Sequence, residues 1–230
     1  MQIQKLLLYT ENLQGQINFY TQVLGLECVF KNDTSARFQM GTTLLCFEAV
    51  QKFKGPYHYA INIPCNKTAK ALDWLQFSLA KQGGTVLSFE GQTCIDFSGW
   101  NAEAIYFYDA DQNIVEFIAR KNLANESFGA FSSVDFIEIS EIGVPLNDIE
   151  VGCSNLFQIE NMQIFDGSFD RFCALGDEQC LFICINKNKK EWFPTGDKAY
   201  ASPFKVVLKA QHKQYSCKFD GEQLQVEKLF

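Results

Sequence analysis

The residues best suited to chemistry lie on two apolar stretches, YHYAINIP (57–64) and AIYFYDADQNIVEFIAR (104–120). The first carries His58, one of only two histidines, and the second sets Glu116 inside an apolar run. Alternate residues of a strand share a face, so His58, Ala60 and Asn62 point one way, as do Ile114, Glu116 and Ile118. A carboxylate flanked by isoleucines on a buried face is unfavourable unless it is paired or bound to a cation. That singles out Glu116, with His58 as its natural partner. The plainer reading of His58 is a hydrogen-bonded core imidazole.

Two copies of one pattern must position these residues. In 3–50, IQKLLLYT reads as a strand, and Asn12 as the cap of a helix through Leu13, Ile17, Tyr20 and Leu24 that stops at Gly25. LECVFKN, ARFQMG and TLLCFEAV follow as strands. Residues 57–120 repeat the order: YHYAINIP, a helix from Asn66 to Gly83-Gly84, then TVLSFEG, EAIYFYDA and NIVEFIAR, with QTCIDFSGWN as a loop over a pocket. Two βαβββ units within 120 residues form an internal repeat. A polar linker, 121–133, precedes a third copy in 134–230, with a strand at ISEIGVPL, a helix over 148–159 and later strands, but no fourth helix. The expected fold is α+β, with repeated βαβββ modules curled into a cup-shaped mixed sheet. The paired unit is 1–121 and the incomplete third module 134–230.

Composition narrows the function. A net charge of −7 and the lack of a Lys/Arg-rich patch argue against nucleic acid. No apolar run has membrane-spanning length and the N-terminus lacks a signal-peptide pattern, so a cytoplasmic protein with a small-molecule partner is expected. Nine cysteines, an odd number with no CxxC pair, read as reduced core residues.

NLQGQINFYTQVLGL (12–26), HYAINI (58–63) and YDADQNIVEFI (108–118), in this order, resemble the vicinal oxygen chelate superfamily of glyoxalase I, extradiol dioxygenases and fosfomycin- and bleomycin-resistance proteins. The resemblance implies a cup holding a divalent metal, with ligands from the first and last strands of each module. Carried over, the positions are Lys5, Cys46, His58 and Glu116. His58 and Glu116 match as metal ligands; Lys5 and Cys46 depart from the pattern and stand as substrate-binding positions. Holding a lysine neutral as a ligand costs about 4–5 kcal/mol at pH 7. The alternative is that Lys5 salt-bridges Glu116 in place of the metal.

Histidine counting weighs against a dioxygenase, because an iron triad needs two histidines and His212 lies in the distant AQHKQ turn. A lyase or isomerase needs only a Lewis acid and a carboxylate base. Glu48, sharing strand parity with Cys46, could be that base from the rim, or a solvated strand-end residue. Cys46 could be a soft ligand or nucleophile, or core. Tyr9, on the Lys5 face, and Asn62, on the His58 face, could orient a substrate oxygen, or be satisfied polar core residues. Trp100 covers the pocket mouth or anchors its loop. Glu141 takes the first-strand position of the third copy, with Phe204 or Lys205 opposite, in a half read as structural, completing the cup or forming a homodimer surface. Trp192 and Phe193 in KEWFPT (190–195) suit packing against another module or chain. A metal-free binding protein, like the resistance members, is the alternative to an enzyme.

Overall fold

Alternating polarity organises the chain into fifteen strands and three helices, described over residues 1–229 in a computed structural model. The first module is β1 (Gln2–Thr10), α1 (Leu13–Asn18) widening into a π turn (Phe19–Val23), β2 (Cys28–Lys31), β3 (Ser35–Met40) and β4 (Thr43–Ala49). Asn12 caps α1 by accepting from the Gly15 amide, and Gly25, at φ +65°, ends it. The second module is β5 (His58–Ile63), α2 (Thr68–Ala80), β6 (Ile95–Phe97), β7 (Ala102–Tyr108) and β8 (Ile114–Arg120). The third is β9 (Glu138–Leu146), α3 (Ile149–Cys153) extended by a 3-10 turn (Ser154–Gln158), β10 (Ile164–Ser168), β11 (Phe172–Asp177) and β12 (Cys180–Asn186). A helix-less remainder follows: β13 (Phe204–Ala210), β14 (Lys213–Phe219) and β15 (Leu224–Lys228).

The repeated βαβββ architecture stands, and residues 134–229 hold a whole third module plus this three-stranded remainder. Within each full module the first and last strands pair in parallel, β1 with β4, β5 with β8 and β9 with β12. Modules then join by antiparallel first strands: β1 with β13, and β5 with β9. One sheet runs β15-β14-β13-β1-β4-β3-β2 and the other β10-β11-β12-β9-β5-β8-β7-β6. Lacking a crossover helix, the remainder continues as hairpins, so β13 meets β14 antiparallel.

One large core packs the two sheets together, and a smaller buried cluster lies on the cup face of the second sheet. Leu6 and Leu8 of β1, Tyr59 and Ile61 of β5, and Val115 and Phe117 of β8 enter the large core with helix residues Ile17, Leu75 and Ile149. Strand parity sends their neighbours to the outer faces: Lys5, Leu7 and Tyr9 on the first sheet, His58, Ala60 and Asn62 on the second. The linker is docked on α2, where buried Lys67 reaches Asp135 at 2.6 Å and the carbonyls of Phe128 and Ala130 at 3.2 Å. Asn66 binds Ser127 of that linker rather than capping α2, whose N-cap is Lys67. TVLSFEG is not a strand: β7's free edge is taken at Ala102–Ala104 by β6, leaving Val86 a single bridge to Phe107.

Candidate metal and ligand site

The outer face of the second sheet curls into a cavity of about 320 Å³. His58, Glu116 and Glu141 line it, and one donor atom from each lies within 4.8 Å of the other two. They come from β5, β8 and β9, which are adjacent in the sheet. The His58 Nδ1–H donates to the Ile114 carbonyl at 3.2 Å, which leaves Nε2 with its lone pair facing Glu116 Oε2 at 3.7 Å. Two acceptors facing one another are reconciled by a proton on Glu116 or by a cation bound to both.

The electrostatics agree with that geometry. Burial lowers the His58 pKa to about 4, so the imidazole is neutral at pH 7. Burial, then the charge of Glu141, pushes Glu116 well above the usual carboxylate range, against the pull of Arg120. Glu141 is raised by burial too, with Arg120 opposing. Arg120 is fully buried: its guanidinium pairs with Glu141, its Nε–H donates to Asn62 Oδ1 at 3.3 Å, and its Nη1 has no partner among the described residues. With both carboxylates ionised, one guanidinium leaves the floor one positive charge short. An imidazole lone pair and two carboxylates are a donor set suited to a divalent cation, so the residues fit such an ion.

The structure separates the expected site residues. The expectation that Lys5 and Cys46 share a centre with His58 and Glu116 fails, because β1 and β4 belong to the other sheet and their outer face looks away from the cavity. Lys5, Tyr9, Cys46 and Glu48 stay together there, with Leu7 opposite Cys46 and Tyr9 opposite Glu48. Glu48 therefore cannot serve as a base in this cup. Burial pushes the Cys46 thiol up, against Lys5 and Arg37, which suits a buried, unreactive thiol on the outer face rather than a nucleophile. Asn62 lies on the His58 face, but its amide is spent on Glu138 Oε1, the Glu178 carbonyl and Arg120. Phe204 and Lys205 do not oppose Glu141 either, since β13 pairs with β1.

Glu141, at its first-strand position, is not a structural residue of a separate half but the third member of the cluster. Arg120 carries a signal that motif reading passes over: it shares the even-numbered face of Glu116 in IVEFIAR. Trp192 and Phe193 turn inward over the cup. The Trp192 ring stands 5.0 Å from that of His58. Trp100 both lines the cavity and anchors its loop, donating from Nε1 to Asp166 at 2.8 Å.

No protein-family model matches this chain, and no curated protein sequence does. Solved structures do match. A Bacillus subtilis protein provisionally named a dioxygenase superimposes with a TM-score of 0.62 at 14% identity, covering 99% of this chain and 84% of that one. Glyoxalase I from Zea mays, as a glutamate-to-glutamine mutant, gives 0.59 at 14% identity over 99% and 93% of the two chains. A valine-to-glutamate mutant of the same enzyme gives 0.58 at 13% identity over 99% and 92%. At such identities the likeness speaks for the fold alone, the repeated βαβββ architecture shared with glyoxalase I.

Proposed function

We propose that this chain binds a divalent metal through His58, Glu116 and Glu141 and acts on a small organic substrate in the cup, as a lyase or isomerase. The observation that carries this is the convergence of an imidazole lone pair and two carboxylates within 4.8 Å at a cavity floor. A metal held there would supply Lewis-acid polarisation of a substrate oxygen. The protein's own part is positional and protic. The Ile114 carbonyl fixes the His58 tautomer, and Arg120 orients Glu141. Once its own proton is displaced on metal uptake, Glu116, with the Tyr106 hydroxyl against it, would be the carboxylate placed to accept and return a substrate proton. Trp192 and Phe193 keep water from the floor.

One histidine and two glutamates favour this chemistry over ring cleavage, for His212 sits in the β13–β14 turn of the other sheet. A second reading, a metal-free binding protein, draws on the Arg120–Glu141 ion pair, in which Arg120 rather than Lys5 supplies the cation. Calorimetric titration with Mn²⁺ and Zn²⁺ separates the two. Saturable 1:1 uptake by the wild type, lost in Glu116→Gln and in Glu141→Gln, is the expected result. No uptake by a folded wild type would leave the metal-free reading standing.

A further inference from the structure

The KEWFPT segment packs on the second module, Trp192 against His58 and Phe193 against Phe89, Phe97 and Tyr106, and with Lys190 it lines the cup. Ring contacts run without a break from floor to rim. His58 meets Tyr106 at 6.4 Å, Tyr106 meets Phe193 at 5.8 Å, and Phe193 meets Phe97 at 5.8 Å. Phe97 then meets Trp100 at 6.4 Å, and Trp100 meets Phe172 at 6.4 Å. The Lys190 ammonium stands over the Phe172 ring, 5.9 Å from its centroid. Lys190 takes part in none of the ion pairs among the described residues, and the cavity-lining acid Asp166 is bonded through Oδ2 to Trp100 Nε1 and through Oδ1 to the Gly167 amide.

Trp192 forms the inner end of this wall. Trp192 is 5% exposed, and its indole N–H has no acceptor among the described residues. Its ring borders the cavity, with the benzo edge seated against Gly143 of β9. The cavity is at the small end of the range usual for ligand pockets.

From these features we infer that segment 190–193 is the specificity element of the cup, and that it selects a flat aromatic acid. The ring system lies along the aromatic wall, with its carboxylate on Lys190 at the rim and its far end toward His58, Glu116 and Glu141. The inference rests on the cup being the ligand site, as proposed above, and not on the metal.

Titration with 2-naphthoate and its neutral isostere 2-naphthamide, in EDTA, tests it on the whole chain. The wild type should bind the acid about fivefold more tightly than the amide, as for a half-exposed ion pair. Lys190→Gln should bring the ratio to one, and Lys190→Arg should keep it. Equal affinity for acid and amide in the wild type, a ratio unmoved by Lys190→Gln, or binding of neither probe would overturn the inference. Repeating the titration with Mn²⁺ keeps the two readings apart: loss of metal uptake leaves the EDTA ratio intact, and loss of the ratio leaves metal uptake intact.

Discussion

His58 and Glu116 depart from their ordinary proton affinities in opposite directions, and each departure has a measurable sign. The His58 pKa falls from 6.5 to about 4 on burial. Between those values the unfolded chain binds the extra proton, so stability present above pH 6.5 is lost as pH falls toward 4. The difference is worth about 3 kcal/mol. Denaturant unfolding from about pH 7 to pH 4 should show the wild type losing that much more than His58→Gln; parallel curves would refute a buried neutral imidazole. Glu116 is raised, so its contribution instead declines as pH rises through the usual carboxylate range. Metal uptake near neutral pH must then displace the Glu116 proton. Calorimetry in buffers of different ionisation enthalpy should report close to one proton released per Zn²⁺, fewer as pH rises, and zero release would contradict the assignment. Arg120→Met leaves the buried Glu141 carboxylate without its partner and should cost about 3–5 kcal/mol without metal. Excess Zn²⁺ should recover more of the melting temperature in that variant than in the wild type. Equal recovery in both would mean that Arg120 does not neutralise the site.

At the scale of elements, β9 and the segment after β12 fit each other through one missing methyl. A Cβ on Gly143 would come within 2.6 Å of Trp192 Cη2 and 3.2 Å of the His58 carbonyl oxygen. Its φ is not positive, so the requirement is steric rather than conformational. Gly143→Ala should push Trp192 out of the cup, cost about 1–3 kcal/mol and red-shift the tryptophan emission. An unshifted spectrum would mean that the indole is not seated against β9. Most of the elements were legible in the sequence because local signals carry them. Asn12 and Gly25 bracket the first helix, and alternation marks β5 and β8. The strand expected at TVLSFEG was not there to be read, since occupancy of β7's edge depends on which segment arrives. The inward turn of Trp192 was equally hidden, because its partner Gly143 is 49 positions away, by subtraction of 143 from 192.

For the whole molecule, the decisive choice is which modules share a sheet, and sequence order is a poor guide to it. Consecutive copies suggested one cup from the first two modules, with Lys5 in it. The chain instead pairs the second module with the third and the first with the helix-less remainder. Nothing local in β5 or β9 declares this pairing; it is set by burial of both strands' odd or even faces against the common core. The pairing makes a prediction through the internal symmetry of the cup. Glu116 lies two residues past Ile114, the β8 residue opposite His58. The corresponding step on β12 goes from Leu181, opposite Glu141, to Ile183, which lines the cavity. Ile183 thus holds the fourth ligand position of the cup, and Lys5 holds none. Ile183→His adds a neutral donor there and should tighten Zn²⁺ binding about tenfold, or about 1.4 kcal/mol. Lys5→His, on the far face of the other sheet, should leave the affinity unchanged. The opposite pattern, a gain with Lys5→His and none with Ile183→His, would mean that the metal is held between the first and second modules and that the observed sheet pairing does not form the site.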